Sequence, residues 1–127
     1  MVLNYIMNYP KLKKTWIFDL DGTLVVHAGY LTGEEILLPG IKKLFEKIPK
    51  KDMIIIVTGR PETDKNITIQ NLKNLNIRYD HLIFDAGTGA RILINDTKPT
   101  GYKTAYSLPV ERNSGIHTNE LLFFMEI

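Results

Sequence analysis

Short apolar runs that break off abruptly into polar residues set the rhythm of this chain. Thr15-Trp16-Ile17-Phe18, rich in aromatic and β-branched residues, stops at Asp19-Leu20-Asp21-Gly22-Thr23, the pattern of a buried strand that ends in a polar loop. Met53-Ile54-Ile55-Ile56-Val57 is more apolar still and ends in Thr58-Gly59-Arg60-Pro61, which predicts a strand buried on both faces, as in a parallel sheet. Between the two, Pro39-Gly40 precedes Ile41, Leu44, Phe45 and Ile48. Those spacings put one apolar stripe on a crossover helix and turn Lys42, Lys43, Glu46 and Lys47 to water. From Glu62 to Asn76 a second helix is expected through Ile67, Ile69, Leu72 and Leu75, although Ile69 leaves the stripe and the asparagines lower helix propensity. His81-Leu82-Ile83-Phe84 before Asp85, and Arg91-Ile92-Leu93-Ile94 before Asn95-Asp96, predict two further strands joined by a loop with Gly87 and Gly89. Beyond Pro99 the pattern weakens: Lys103 to Leu108 reads as a short edge strand, Pro109 to Gly115 as a loop, and Leu121 to Met125 as a last strand or helical turn.

This alternation predicts one α/β domain over residues 1–127, with a three-layer, Rossmann-like, doubly wound and mostly parallel sheet. Ligands of such sheets sit beyond the carboxyl ends of the strands, so Asp19, Asp21, Thr58 and Asp96 are expected to converge on one rim. Composition agrees, since 127 residues at 44% hydrophobic suffice for one core. The absence of cysteine excludes disulfides, a thiolate nucleophile and thiolate metal sites, and is compatible with a cytoplasmic location. Sixteen basic against fourteen acidic residues leave a charge of +2, which speaks against a nucleic-acid partner held by its backbone. No apolar run approaches the roughly 20 residues of a membrane span. The first apolar residues precede the first lysines, the reverse of a signal peptide.

The chemistry is concentrated where the first strand ends. Side chains alternate along a strand, so Asp19 and Asp21 leave the same side of the chain. A carboxylate pair of this kind suits Mg²⁺, whose shell is completed by water and a substrate phosphate. One carboxylate can then attack phosphorus while the other protonates the leaving oxygen and later activates water. Gly22 permits a tight turn that brings backbone amides near an anion. An EF-hand loop is excluded, because Leu24, Val25 and Val26 stand where oxygen ligands would be needed.

Phe18-Asp19-Leu20-Asp21-Gly22-Thr23-Leu24 resembles the first motif of the haloacid dehalogenase-like phosphatase superfamily. Ile55-Ile56-Val57-Thr58-Gly59-Arg60 resembles its second, and Leu93-Ile94-Asn95-Asp96 its fourth, so the likeness spans about Trp16 to Pro99. The resemblance implies a Mg²⁺-dependent phosphomonoesterase in which Asp19 becomes an aspartyl phosphate and Asp21 is the general acid/base. It implies that Thr58 orients the phosphoryl group, that Gly22, Thr23 and Gly59 border it, and that the metal is held by Asp19, the main-chain carbonyl of Asp21, and Asp96. The third motif departs from the family pattern, because eight residues before Asn95 stands Gly87 and no lysine. Two cations can replace it, Lys98 and Arg91, and the strand argument favours Lys98 as the one on the rim. Arg60 either reaches the substrate phosphate or opens the following helix in solvent. His27 lies in the segment that forms a flap in this superfamily, and as a surface residue or a substrate contact it stays open.

Neither the interval from Thr23 to Met53 nor that from Arg60 to His81 has room for a cap domain, so the core is expected to be capless and its site open. An open site suits a phosphorylated small molecule, a macromolecular phosphosubstrate, or a homo-oligomer whose neighbouring subunit supplies the lid. Ile94 to Gly101 also resembles small capless proteins associated with bacterial surface-sugar gene sets, which implies a phosphorylated sugar. Two other readings stand beside the hydrolase: a non-catalytic phosphate-binding or regulatory protein, and a polynucleotide 3′-phosphatase.

Overall fold

A computed structural model describes residues 12–127 of the chain and, within them, all side chains but that of Thr118. Three strands, β1 (Thr15–Asp19), β2 (Met53–Val57) and β3 (His81–Ile83), pair in parallel in the order β1-β2-β3. The register sets Thr15 opposite Met53 and Asp19 opposite Val57, then Ile55 opposite His81 and Val57 opposite Ile83. All three strands therefore end on one line, and the loops that follow them share one rim. Helix α1 (Ile41–Lys47) connects β1 to β2. A 3-10 turn (Glu62–Asp64) and α2 (Lys65–Asn74) connect β2 to β3, and α3 (Thr118–Glu126) closes the chain.

Alternation along the strands decides which side chains form the core. Phe18, Ile54 and Ile56 point to one face and pack against Ile41, Leu44 and Phe45 of α1, Leu72 of α2, and Leu121 of α3. The Phe18 and Phe45 rings lie 5.0 Å apart. On the opposite face Ile17 is 53% and Ile83 47% exposed, and Met53, Ile55 and Val57 are only half-buried. A sheet that grows in sequence order by right-handed crossovers places each connecting helix on the same side. Among the described residues the fold is thus an α/β sheet with helices on one face, compatible with a Rossmann-like arrangement but without the expected third layer. β2 is correspondingly sealed on one face and not on both.

Three further expectations change. Among the described residues Arg91 to Ile94 pairs with no strand, and Ile92 and Ile94 are 84% and 91% exposed. Lys103 to Leu108 is likewise irregular, while the terminal apolar segment takes the helical one of its two expected forms. In α2, Ile67 and Ile69 are turned outward while Thr68 and Leu72 are buried, because Thr68 serves a polar contact described below. The Asp52 carboxylate, buried where the chain enters β2, accepts the Lys14 amide and the Trp16 indole N–H, each at 3.0 Å, and so ties the starts of β1 and β2 together. No helix of the described residues is long and apolar enough to cross a membrane.

Candidate active site

The loop after β1 is held by its apolar residues, which leaves its polar ones facing out. Leu20, Leu24 and Val25 are fully buried. The Leu20 carbonyl accepts the amides of Thr23 (3.3 Å), Leu24 (2.9 Å) and Val25 (3.2 Å). Gly22, at φ 83°, closes the turn by donating to the Val25 carbonyl at 2.7 Å. Asp19 is exposed at the end of β1, and the Thr23 hydroxyl donates to its Oδ2 at 3.1 Å. Thr23, predicted to border the substrate, thus orients Asp19.

Asp21 has a different environment. Arg60, 3% exposed, donates from Nε to Asp21 Oδ2 at 2.9 Å and from Nη2 to Oδ1 at 2.8 Å. The other donors reach both oxygens of Glu35 and the Thr68 hydroxyl, so all five guanidinium N–H groups are taken by the protein. Its guanidinium carbon lies 3.8 Å above the centre of the Tyr30 ring, the stacking geometry of a cation on an aromatic face. Burial opposes the charge of Arg60, but its hydrogen bonds to Asp21 and Glu35 and their charges outweigh burial and raise its pKa further. Tyr30 donates to Asp64 at 3.2 Å, and its pKa is raised by burial and by that carboxylate. Asn71 of α2 donates to Glu35 at 2.8 Å. Arg60 therefore fixes Asp21 to the segment between β1 and α1 that carries Tyr30 and Glu35, and has no donor left for a substrate phosphate. Glu35 and Tyr30 escaped the sequence reading because the contact joining Glu35 to Arg60 spans 25 residues. The available signal was a lone carboxylate and a tyrosine between the first strand and the first helix.

Thr58 is buried directly behind the rim, and its hydroxyl oxygen accepts the Arg60 amide at 3.1 Å. Gly59 sits against the loop after β3: a Cβ at Gly59 would lie 3.1 Å from the Gly87 carbonyl oxygen. Arg91 braces that loop by donating to the carbonyls of Gly87 (3.2 Å) and Gly89 (3.1 Å). Lys98, favoured on the strand argument, lies in an exposed turn closed by the Gly101 amide on the Lys98 carbonyl at 2.8 Å. Of the two, Arg91 is the one linked to the rim, through the loop it braces. Without the predicted strand from Arg91 to Ile94, Asp96 has no sheet edge to carry it there. Its main-chain carbonyl accepts the Thr104 hydroxyl within a loop of its own.

Asp19, Asp21 and Asp96 do not form one ligand group, and among the described residues no cluster of three or more His, Asp or Glu is placed to hold a metal ion. The donors at the rim still fit a hard cation. Asp19 offers a carboxylate bonded to the Thr23 hydroxyl, Asp21 offers a main-chain carbonyl, and Mg²⁺ usually takes one or two protein carboxylates with water and phosphate. Each oxygen of the Asp21 carboxylate accepts one hydrogen bond from Arg60. One more cation reaches the loop from far along the chain, since the stem of Arg112 packs on Gly22. Comparison with protein-family models, with curated proteins and with solved structures finds no match.

Proposed function

We propose that the protein is a Mg²⁺-dependent phosphomonoesterase of the haloacid dehalogenase-like type, with a capless core, acting on a phosphorylated small molecule such as a sugar phosphate. One observation carries the reading: two carboxylates two residues apart stand in contrasting environments, Asp19 exposed and Asp21 clamped by Arg60. Two carboxylates two residues apart, one exposed and one held in a fixed orientation, let one group attack phosphorus while the other carries the proton.

Asp19 Oδ attacks phosphorus as the ester P–O bond breaks, and the leaving alkoxide takes a proton from Asp21. Water then attacks the aspartyl phosphate and gives a proton to Asp21, the P–O bond to Asp19 breaks, and phosphate leaves. Each Asp21 oxygen accepts one bond from Arg60 and keeps a second lone pair, so the clamp orients the carboxyl without blocking the proton. Thr23 holds the Asp19 rotamer. Magnesium, held by the Asp19 carboxylate and the Asp21 main-chain carbonyl, would supply charge neutralisation at the phosphoryl oxygens.

The test is hydrolysis of 4-nitrophenyl phosphate and a panel of sugar phosphates with and without Mg²⁺, comparing wild type with Asp19→Asn. Turnover that needs Mg²⁺ and is lost in the variant is expected. Activity that survives in Asp19→Asn overturns the nucleophile, and a wild type that binds phosphate but turns over no ester points to the phosphate-binding alternative.

A further inference from the structure

Among the described residues, the hydrogen-bonded cation at the rim is Arg60, and it has no donor left for an incoming phosphate. Among the described residues Arg60 is bonded to Asp21, Glu35 and Thr68 with every donor engaged, and Asp19 is bonded to the neutral Thr23 hydroxyl. A dianionic ester would meet an excess of negative charge, and phosphoryl transfer requires the opposite. Arg91 is turned to the carbonyls of its own loop, and Lys98 stands in a separate exposed turn.

The loop before α3 offers what is missing. The Asn113 amide donates to the Gly22 carbonyl at 2.9 Å, and Asn113 Oδ1 accepts the His27 amide at 2.8 Å. Asn113 takes a left-handed conformation, φ 65°, to make both contacts. The loop is closed on itself by the Ser114 hydroxyl, which donates to the Glu111 carbonyl at 2.8 Å. It is pinned to the start of α1 by the Ile116 amide on the Pro39 carbonyl at 3.0 Å. Arg112 is thereby laid over the loop of the two carboxylates: a Cβ on Gly22 would lie 3.1 Å from Arg112 Cγ and 3.8 Å from its Cδ. Glycine at position 22 thus does two things, taking the positive φ and leaving room for this stem. The side chain is exposed, and its guanidinium makes no hydrogen bond or ion pair with the described residues. An arginine whose stem is packed and whose fork is free is prepared for a bidentate contact with phosphate oxygens.

We propose that Arg112 is the phosphate-binding cation of this site, delivered over Gly22 by the loop before α3. The proposal rests on the phosphatase reading for its catalytic meaning, but binding of phosphate tests it separately. Inorganic phosphate is titrated by calorimetry into wild type, Arg112→Ala, Arg112→Lys and the α1 surface control Lys42→Ala, with Mg²⁺ present. The same proteins are assayed on 4-nitrophenyl phosphate. Arg112→Ala is expected to bind phosphate about ten- to a hundredfold more weakly, the worth of a charge-assisted hydrogen bond, and to raise KM. Arg112→Lys should recover part of the loss, and Lys42→Ala should match wild type. Phosphate affinity unchanged in Arg112→Ala overturns the proposal, as does a wild type with no measurable phosphate binding. If phosphate binding depends on Arg112 but no ester is hydrolysed, the hydrolase reading falls and the role of Arg112 stands.

Discussion

Arg60 shows how far a single residue's role depends on what surrounds it. As part of Thr58-Gly59-Arg60 it reads as a substrate contact or a solvated helix start, yet it is 3% exposed and shares its five donors among Asp21, Glu35 and Thr68. Removing one partner of such a buried cluster leaves the others charged and unpaired. Arg60→Ala is therefore expected to lower stability by about 3–5 kcal/mol, measured as the midpoint and slope of urea unfolding. Arg60→Lys should recover only part, because an ammonium cannot serve two carboxylates with a planar fork. A small effect of Arg60→Ala would mean that the clamp is not formed in solution. The same comparison separates what was readable at this scale. Asp19 and Asp21 stand out because a strand that ends in alternating carboxylates is a local pattern. Glu35 and Arg112 do not, because their significance lies in contacts with residues far along the chain.

The elements divide along the same line. β1, β2, β3 and α1 appear where periodicity puts them, since each is decided by side chains a few residues apart. In α2 the inward positions are Thr68 and Leu72, a stripe that hydrophobicity alone would not choose, and Thr68 earns its place by accepting Arg60. Arg91 to Ile94 has the composition of a strand, but a strand exists only with a partner edge, and this run has none among the described residues. The loop before α3 carries more order than its polar sequence suggests. Gly115, at φ 76°, lies so close to Pro39 that a Cβ there would meet the Pro39 carbonyl oxygen at 2.1 Å. Gly115→Ala is expected to cost about 2 kcal/mol or more through strain and loss of that close approach, read from thermal unfolding. It should also weaken phosphate binding by moving Arg112. A variant as stable as wild type would mean that the loop is not held against α1.

For the molecule as a whole, Asp52 links sheet assembly to pH. Burial alone would raise the pKa of its carboxyl, but the hydrogen bonds from the Lys14 amide and the Trp16 indole, and the Lys14 charge, outweigh burial and hold it below the ordinary carboxylate value. The folded state therefore favours the ionised form. The resulting stability is fully present above the unfolded value of about 4 and is lost as pH falls through the lower folded value. Urea unfolding between pH 7 and pH 3 should show Asp52→Asn well below wild type near neutrality and the two converging in acid, whereas a constant gap would exclude ionisation as the cause. By itself the sequence determined β1, β2 and β3, the helix between the first two, the absence of thiol chemistry and the two carboxylates at the end of β1, all properties of residues close together. Only the tertiary structure decided that the helices cover one face, that Arg60 clamps Asp21, that Asp19, Asp21 and Asp96 form no single ligand group and that Arg112 comes to Gly22. Those outcomes depend on crossover handedness and on packing between distant segments, which no local pattern encodes.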